Sequence, residues 1–186
     1  MIDFIENYFA SIKSCIDLLD KKEIEQFVKI LINARENGRT IFIMGNGGSA
    51  TTASHFACEL NKGASYNQEK RFKVVCLNDS ISTILAYSND VDFETVFVEQ
   101  LKNLMSKDDV VIGISSSGNS KNIINAIEYA NENGAISIGL TGKDGGVLKT
   151  VSKYSINPNF NDLQVSEDIH MMVVHIVYRY FLAQQN

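Results

Sequence analysis

A chain of 186 residues, 45% hydrophobic and 21% charged, is sized for one domain with a full hydrophobic core. Its net charge of −5 excludes a large nucleic-acid footprint, which needs clustered Lys and Arg, but leaves anionic small molecules open as ligands. Cys15, Cys58 and Cys76 form no metal-finger spacing, Asp3 and Glu6 stand where a signal peptide needs positive charge, and no apolar run nears a membrane span; the expectation is a cytoplasmic protein with neither nucleic acid nor membrane as partner.

Ile2, Ile5, Phe9, Ile12, Ile16 and Leu19 recur at three- and four-residue steps and predict an amphipathic helix. A second helix follows from about Lys22 to Asn37, where Gly38 stops it. The pattern then changes to short β-branched runs, "TIFIM", "FKVVCL", "DVVIGI", "AISIGL" and "KYSIN". Helical segments separate most of them: 49–62, about 80–104 in two pieces, 120–133, and a short piece at 146–151. A long last helix covers about 163–183, with Ile169, Met172, Val173, Ile176 and Phe181 mostly on its apolar side, and Pro158 lies in the turn before it. Strands alternating with helices predict an α/β fold in which helices cover both faces of a parallel sheet. Such a sheet binds ligands beyond the carboxyl ends of its strands.

Two loops at those ends invite an anion. Gly45-Asn46-Gly47-Gly48-Ser49 follows the first strand, and Ser115-Ser116-Ser117-Gly118-Asn119-Ser120 follows the third. Glycine lets backbone approach a ligand closely, and a helix start offers unpaired amides with a positive dipole end. Four serines in six residues add hydroxyl donors, more than helix capping by Asn119 or Ser120 requires. No GxxxxGK[ST] is present, so a nucleotide P-loop is not expected. Gly45, Gly47 and Ala50 match the dinucleotide pattern, but the strand "FKVVCL" reaches its first acid only at Asp79, too late for the ribose contact. The loop "TGKDGG", 141–146, is either a further wall of the site or a plain turn.

His55 and Glu59 lie four residues apart, on one face of the helix behind the first loop. His170 and His175 diverge by about 140° around the last helix, so one faces the site while the other packs or meets solvent. Glu167 precedes His175 by eight residues, about 12 Å along the axis. Spacing alone does not make these four a metal site.

"GNGGSATTASHFACEL", "SNDVDFETVF", "GISSSGNSKN", "LTGKDGG" and "EDIHMMVVH", in that order, resemble a sugar-isomerase (SIS) domain, and within that group the bacterial phosphoheptose isomerases. The resemblance covers nearly the whole chain. It implies a single SIS domain over 1–186: a three-layer, flavodoxin-like sandwich with a five-stranded parallel sheet, preceded by an N-terminal helical pair (1–38) used in oligomerisation. It further implies that Ser49, Ser115, Ser116, Ser117 and Ser120 hold a sugar phosphate, with Asn46, Gly47, Asp90 and Glu167 also on the substrate. Glu59 and His175 would form the acid/base pair. His55, Glu59, Glu167 and His175 would surround one zinc ion per subunit of a homotetramer with active sites at subunit boundaries. Glu167 stands where the best-known members carry a metal-facing Gln, Gln164 where they carry an acid, and Lys62-Gly63 where they carry an arginine.

The expected reaction is aldose–ketose isomerisation, sedoheptulose 7-phosphate to a heptose 7-phosphate through an enediol, with one group moving a proton at carbon and another near the oxygens. The rival expectations are a non-catalytic SIS module that binds a sugar phosphate or a protein partner and, resting only on the glycine match, a nicotinamide oxidoreductase.

Overall fold

The computed structural model describes residues 1–185. Two helices come first, α1 (Ile2–Asp17) and α2 (Lys21–Glu36). Next are β1 (Thr40–Gly45), α3 (Gly48–Cys58), β2 (Lys73–Cys76), α4 (Ile81–Asp90) and α5 (Val98–Leu104). Then follow β3 (Val110–Ser115), α6 (Lys121–Glu132), β4 (Ile136–Thr141), α7 (Gly146–Val151), β5 (Tyr154–Ile156) and α8 (Leu163–Ala183). The start signals are chemical: the Asp20 carboxylate accepts from Lys22 N–H at the head of α2, and Asp162 accepts from Val165 N–H at the head of α8.

All strand pairs are parallel, in the order β2-β1-β3-β4-β5. That is the flavodoxin-like winding, whose direction reverses between β1 and β3. Strand residues alternate between two cores. Ile41 and Ile43, with Val110, Ile112 and Ile114, pack on α2, α3 and α8. Phe42, Met44 and Val111 pack on α5, α6 and α7 on the other side. Both faces are therefore buried, which is why these strands read as unbroken apolar runs rather than alternating ones.

Two helices precede the sheet as expected, and three details of the helix surfaces add to that picture, the last of them a departure. α2 is a layer helix, with Phe27, Val28 and Leu31 buried, so only α1 lies outside the sandwich. α1 buries Cys15 alone among its residues and leaves Ile2, Phe4, Ile5 and Phe9 exposed, because its apolar stripe is wider than the strip of α8 it lies on. On α8 the buried stripe runs through Val165, Ile169, Val173, Val177 and Phe181, and Ile176 points outward. Among the described residues no helix is long and apolar enough to cross a membrane.

Candidate active site

The reversal between β1 and β3 brings together the two loops that invite an anion. The register pairs Gly45 with Ile114 and Ser115 with Thr141, so these strand ends form one edge. Gly45 is obligatory there, since a Cβ would sit 2.5 Å from the backbone of Ser49. Gly47 turns the chain at φ +52, ψ −122, a region closed to L side chains. The two loops are tied by a reciprocal amide pair: Asn46 Nδ2 donates to Asn122 Oδ1 (2.9 Å) and Asn122 Nδ2 to Asn46 Oδ1 (3.0 Å). A second amide, Asn78, both donates to Gly45 O and accepts from Gly45 N–H, at 2.7 and 3.0 Å.

Between the loops lies a polar cavity of about 190 Å³, lined by Asn46, Ser49, Ser115, Ser116, Ser117, Ser120 and Glu167, with Ile114 and Leu163. Ser120 holds the N-cap backbone position of α6 but makes no capping bond with its side chain. Its Oγ instead lies 3.1 Å from Ser115 Oγ, which is 3.4 Å from Ser117 Oγ. Asn119, the other capping candidate, accepts from Val147 N–H and donates to the Ser117 carbonyl. The hydroxyls thus cluster on one another around the cavity. Ser116 Oγ is buried with no partner among the described residues, a cost of about 1–3 kcal/mol that a ligand acceptor would relieve. The loop 141–146 does not line the cavity. With α7 it buttresses the serine loop from behind: Gly142 N–H donates to Ser116 O (3.1 Å), and Leu148 N–H of α7 donates to Gly118 O (2.8 Å). Gly118, at φ +66, has no room for a Cβ against the Gly145 carbonyl.

α3 and α8 run side by side in one direction away from this cavity. The Glu167 carboxylate lies over the start of α3, where a Cβ on Gly48 would meet its Oε2 at 2.8 Å. Eight residues later on α8, His175 meets His55, seven residues after Gly48. Those intervals are about 12 and 10 Å of helix, which explains the match. The two Nε2 atoms are 3.1 Å apart, with the rings at 80° to each other. Glu59 follows one turn after His55, where α3 gives way to a π-helical turn, Glu59–Gly63, closed by Ala64 N–H on the Glu59 carbonyl. The sequence suggests an uninterrupted helix to residue 62; Gly63 permits the wider turn because the Tyr178 ring occupies the place of a Cβ. π turns of this kind recur at functional positions. Glu59 Oε2 is buried without a partner among the described residues.

A SIS-domain family model matches residues 4–142. The phosphoheptose isomerase of Helicobacter pylori (strain P12) is 37% identical over 182 residues, which is 94% of this chain and 92% of the relative. The chain belongs to the SIS-domain family, among the phosphoheptose isomerases. Two solved structures agree. The phosphoheptose isomerase of Neisseria gonorrhoeae has a TM-score of 0.88 at 29% identity, covering 96% of this chain and 97% of its own. That of Francisella tularensis has a TM-score of 0.88 at 28% identity, covering 97% of each.

The family resemblance implies a zinc ion, and the donors present fit part of such a site. Two imidazoles on one tetrahedral zinc, each at 2.0–2.1 Å, place their nitrogens about 3.4 Å apart, close to the spacing of His55 and His175. The unpartnered Glu59 Oε2 is a donor of the right chemistry one turn away. Glu167 serves the serine cavity instead, and among the described residues no three His, Cys, Asp or Glu side chains gather within reach of one metal. Asp90 is not brought to the serines either: it is exposed at the end of α4, beside a separate cavity of about 370 Å³ with Ser82, Thr83 and Tyr87.

Asn78, Asn122 and His170 are structural participants that the sequence reading passed over or left unassigned. Asn122 had a signal, an amide on the same helical face as Ile123, Ala126 and Ile127, all buried. Asn78, after a strand end, had none.

Proposed function

We propose that the chain interconverts a ketose phosphate and an aldose phosphate, sedoheptulose 7-phosphate and a heptose 7-phosphate, with the phosphate between the two glycine- and serine-rich loops. The supporting observation is a match of lengths. Ser49, at the cavity, and His55 are six residues apart on α3, about 9 Å of axis. An extended chain advances about 3.5 Å per three bonds, so the eight bonds from phosphorus to C1 of a seven-carbon sugar phosphate span about 9 Å. With the phosphate among the serines, C1 and C2 arrive beside His55, His175 and Glu59. The relatives of similar length that carry the name phosphoheptose isomerase support the same substrate.

In this reading neutral donors hold the phosphate: the hydroxyls of Ser49, Ser115, Ser116, Ser117 and Ser120, with the amides at the starts of α3 and α6. Asn46 orders the loop and contacts the sugar. Glu59 and His175 divide the proton work. One removes the proton from C1 of the ketose, the enediol forms as the C2 carbonyl takes up a proton, and reprotonation at C2 with loss of the O1 proton yields the aldose. His55 orients His175 by contact of their Nε2 atoms. A divalent ion on the His55–His175 pair, with Glu59 the nearest further donor along the chain, would supply a Lewis acid at the carbonyl oxygen. Zinc, one per subunit, is part of the proposal, as are a cytoplasmic location and a homotetramer whose interfaces complete the sites. The exposed apolar residues of α1 and α4, and the separation of Asp90 from the serine cavity, support the assembly.

The test is a panel of five- to seven-carbon ketose phosphates in deuterated water. Turnover of the seven-carbon substrate with deuterium at the carbon beside the carbonyl is expected. Glu59→Gln should lower the rate by roughly 100- to 10,000-fold while phosphate binding survives. Binding of sugar phosphate without turnover would favour the non-catalytic module instead.

A further inference from the structure

His170 takes no part in the chemistry above, yet it is the most enclosed titratable group of the site region. It is 1% exposed, between α8 and the end of β4. Its Nε2 lies 3.1 Å from the Thr141 carbonyl oxygen. A carbonyl only accepts, so Nε2 carries the hydrogen and Nδ1 is left as a bare acceptor. That Nδ1 is buried with no partner among the described residues. Burial pushes the imidazole down to about 4, so it stays neutral, and remains a single-tautomer donor, through the physiological range. A neutral group bonded on one side only would be replaced at no loss by an apolar one, unless the remaining bond does something.

Thr141 is where β4 enters the loop that backs the serines. The next residue, Gly142, donates its N–H to the carbonyl of Ser116 at 3.1 Å. Gly142 has no room for a Cβ, because the Ser166 hydroxyl, one helical turn before His170, fills that place, with Ser116 O only 2.7 Å away. Asn157 closes the joint from the other side, donating to Thr141 Oγ1 (2.8 Å) and Gly142 O (3.1 Å). The chain of contacts is short: α8, then Thr141-Gly142, then Ser116, whose own hydroxyl is the unpartnered group at the cavity.

We infer that His170 is a positioning residue for substrate, holding the β4 end so that Gly142 fixes the backbone of Ser116 and aims the serine loop at the phosphate. The inference rests on the phosphate assignment of that loop. It gives α8 a double task. The helix that brings His175 to the reacting end also sets the phosphate end, so that the distance between the two is governed by one rigid element. His170 acts on binding that is alike in ground and transition states, so its loss acts on KM rather than kcat.

The experiment compares wild type, His170→Leu, His170→Gln and the double variant Ser117→Ala/Ser120→Ala, with inorganic phosphate as the calorimetric probe and ketose phosphate turnover as the second readout. His170→Leu should weaken phosphate binding and raise KM together by roughly tenfold, with kcat within about twofold. His170→Gln, which keeps an N–H at similar reach, should restore most of the affinity. A merely structural role would lower the melting temperature without this split or this rescue. If folded His170→Leu binds phosphate as wild type does while the serine variant has lost it, the His170 inference is overturned and the phosphate site stands. If neither variant changes phosphate binding, the site assignment falls with it. Should His170→Leu fail to fold, hydrogen exchange in the wild-type protein decides: saturating phosphate should slow exchange of the Gly142 amide at least about fivefold, and an unchanged rate overturns the coupling.

Discussion

The reciprocal Asn46–Asn122 pair is the only side-chain bridge between the two loops among the hydrogen bonds described, and its removal can be worked out in advance. Asn122 is 2% exposed, whereas Asn46 is half-buried and reaches the cavity. Asn122→Leu deletes both bonds of the pair, together with the one Asn122 Oδ1 accepts from Ile123 N–H at the start of α6, while nearly preserving volume. Each bond of the pair contributes about 1 kcal/mol net, and the freed Asn46 amide can turn to water, so the pair's share of the cost is about 2 kcal/mol. For a chain of this length that share lowers the melting temperature by about 4–8 °C. The sharper measurement is a double-mutant cycle in urea with Asn46→Ala, Asn122→Ala and the pair. A coupling energy of about 1–2 kcal/mol is expected, because the two bonds between these side chains exist only when both are present; the bond that Asn122 Oδ1 also accepts from Ile123 N–H is lost in both Asn122 variants and cancels in the cycle. Additivity within about 0.4 kcal/mol would show that the bridge contributes nothing and that the loops hold their places through backbone alone.

Gly63→Ala should drive the Tyr178 ring out of place and disturb the π turn behind Glu59, lowering kcat, and adding Tyr178→Leu should recover part of it; equal rates in single and double variants would disconnect the turn from catalysis. Chelation to verified metal-free protein should abolish turnover and zinc should restore it, whereas retained turnover would leave His55, His175 and Glu59 as acid/base groups alone. His170 titrates near 4 when folded and near 6.5 when unfolded, so its contribution to stability is complete above about pH 6.5 and declines as pH falls towards 4. The drop is on the order of 3 kcal/mol, and His170→Gln should flatten that part of the stability curve. If the slope between pH 4 and 6.5 is unchanged in the variant, other groups carry it.

Much of the fold was legible because parallel strands buried on both faces are continuous β-branched runs, bounded here by Gly38, Asp109 and the glycine loops. The helix at 163–183 matches the structure to the residue. What stayed hidden depends on which elements become neighbours. Periodicity separates His170 from His175 by about 140° but says nothing of what each meets. His170 in fact shares a stripe with Val173, Val174 and Val177, all buried, so its interior place was readable. His175 meeting His55, 120 residues earlier, was not, since it requires α3 and α8 to run parallel and in step. The π turn at Glu59 was invisible for a related reason: its Gly63 lies against the Tyr178 ring, which comes from another helix.

That parallel arrangement is also what makes a two-ended site physically economical. α3 presents amides and Ser49 at its start and His55 six residues on, while α8 presents Glu167 and His175 eight residues apart. A ligand lying in the trough between them has its charged end at a helix N-terminus, where the dipole favours an anion, and its other end about two turns away. The carboxylate of Glu167 sits at the anionic end, on the rim of the serine cavity, and it repels a phosphate rather than attracting it. A site built only for tight phosphate binding would not carry it. Its presence fits a demand on the sugar: a hydroxyl next to the phosphate-bearing carbon can donate to that carboxylate and offset the repulsion, whereas inorganic phosphate brings no sugar hydroxyl to place there. Glu167→Gln should therefore strengthen inhibition by inorganic phosphate while weakening selection for the sugar phosphate over it. Equal inhibition of both forms, measured at one ionic strength, would show that Glu167 is screened from the cavity and takes no part in selection.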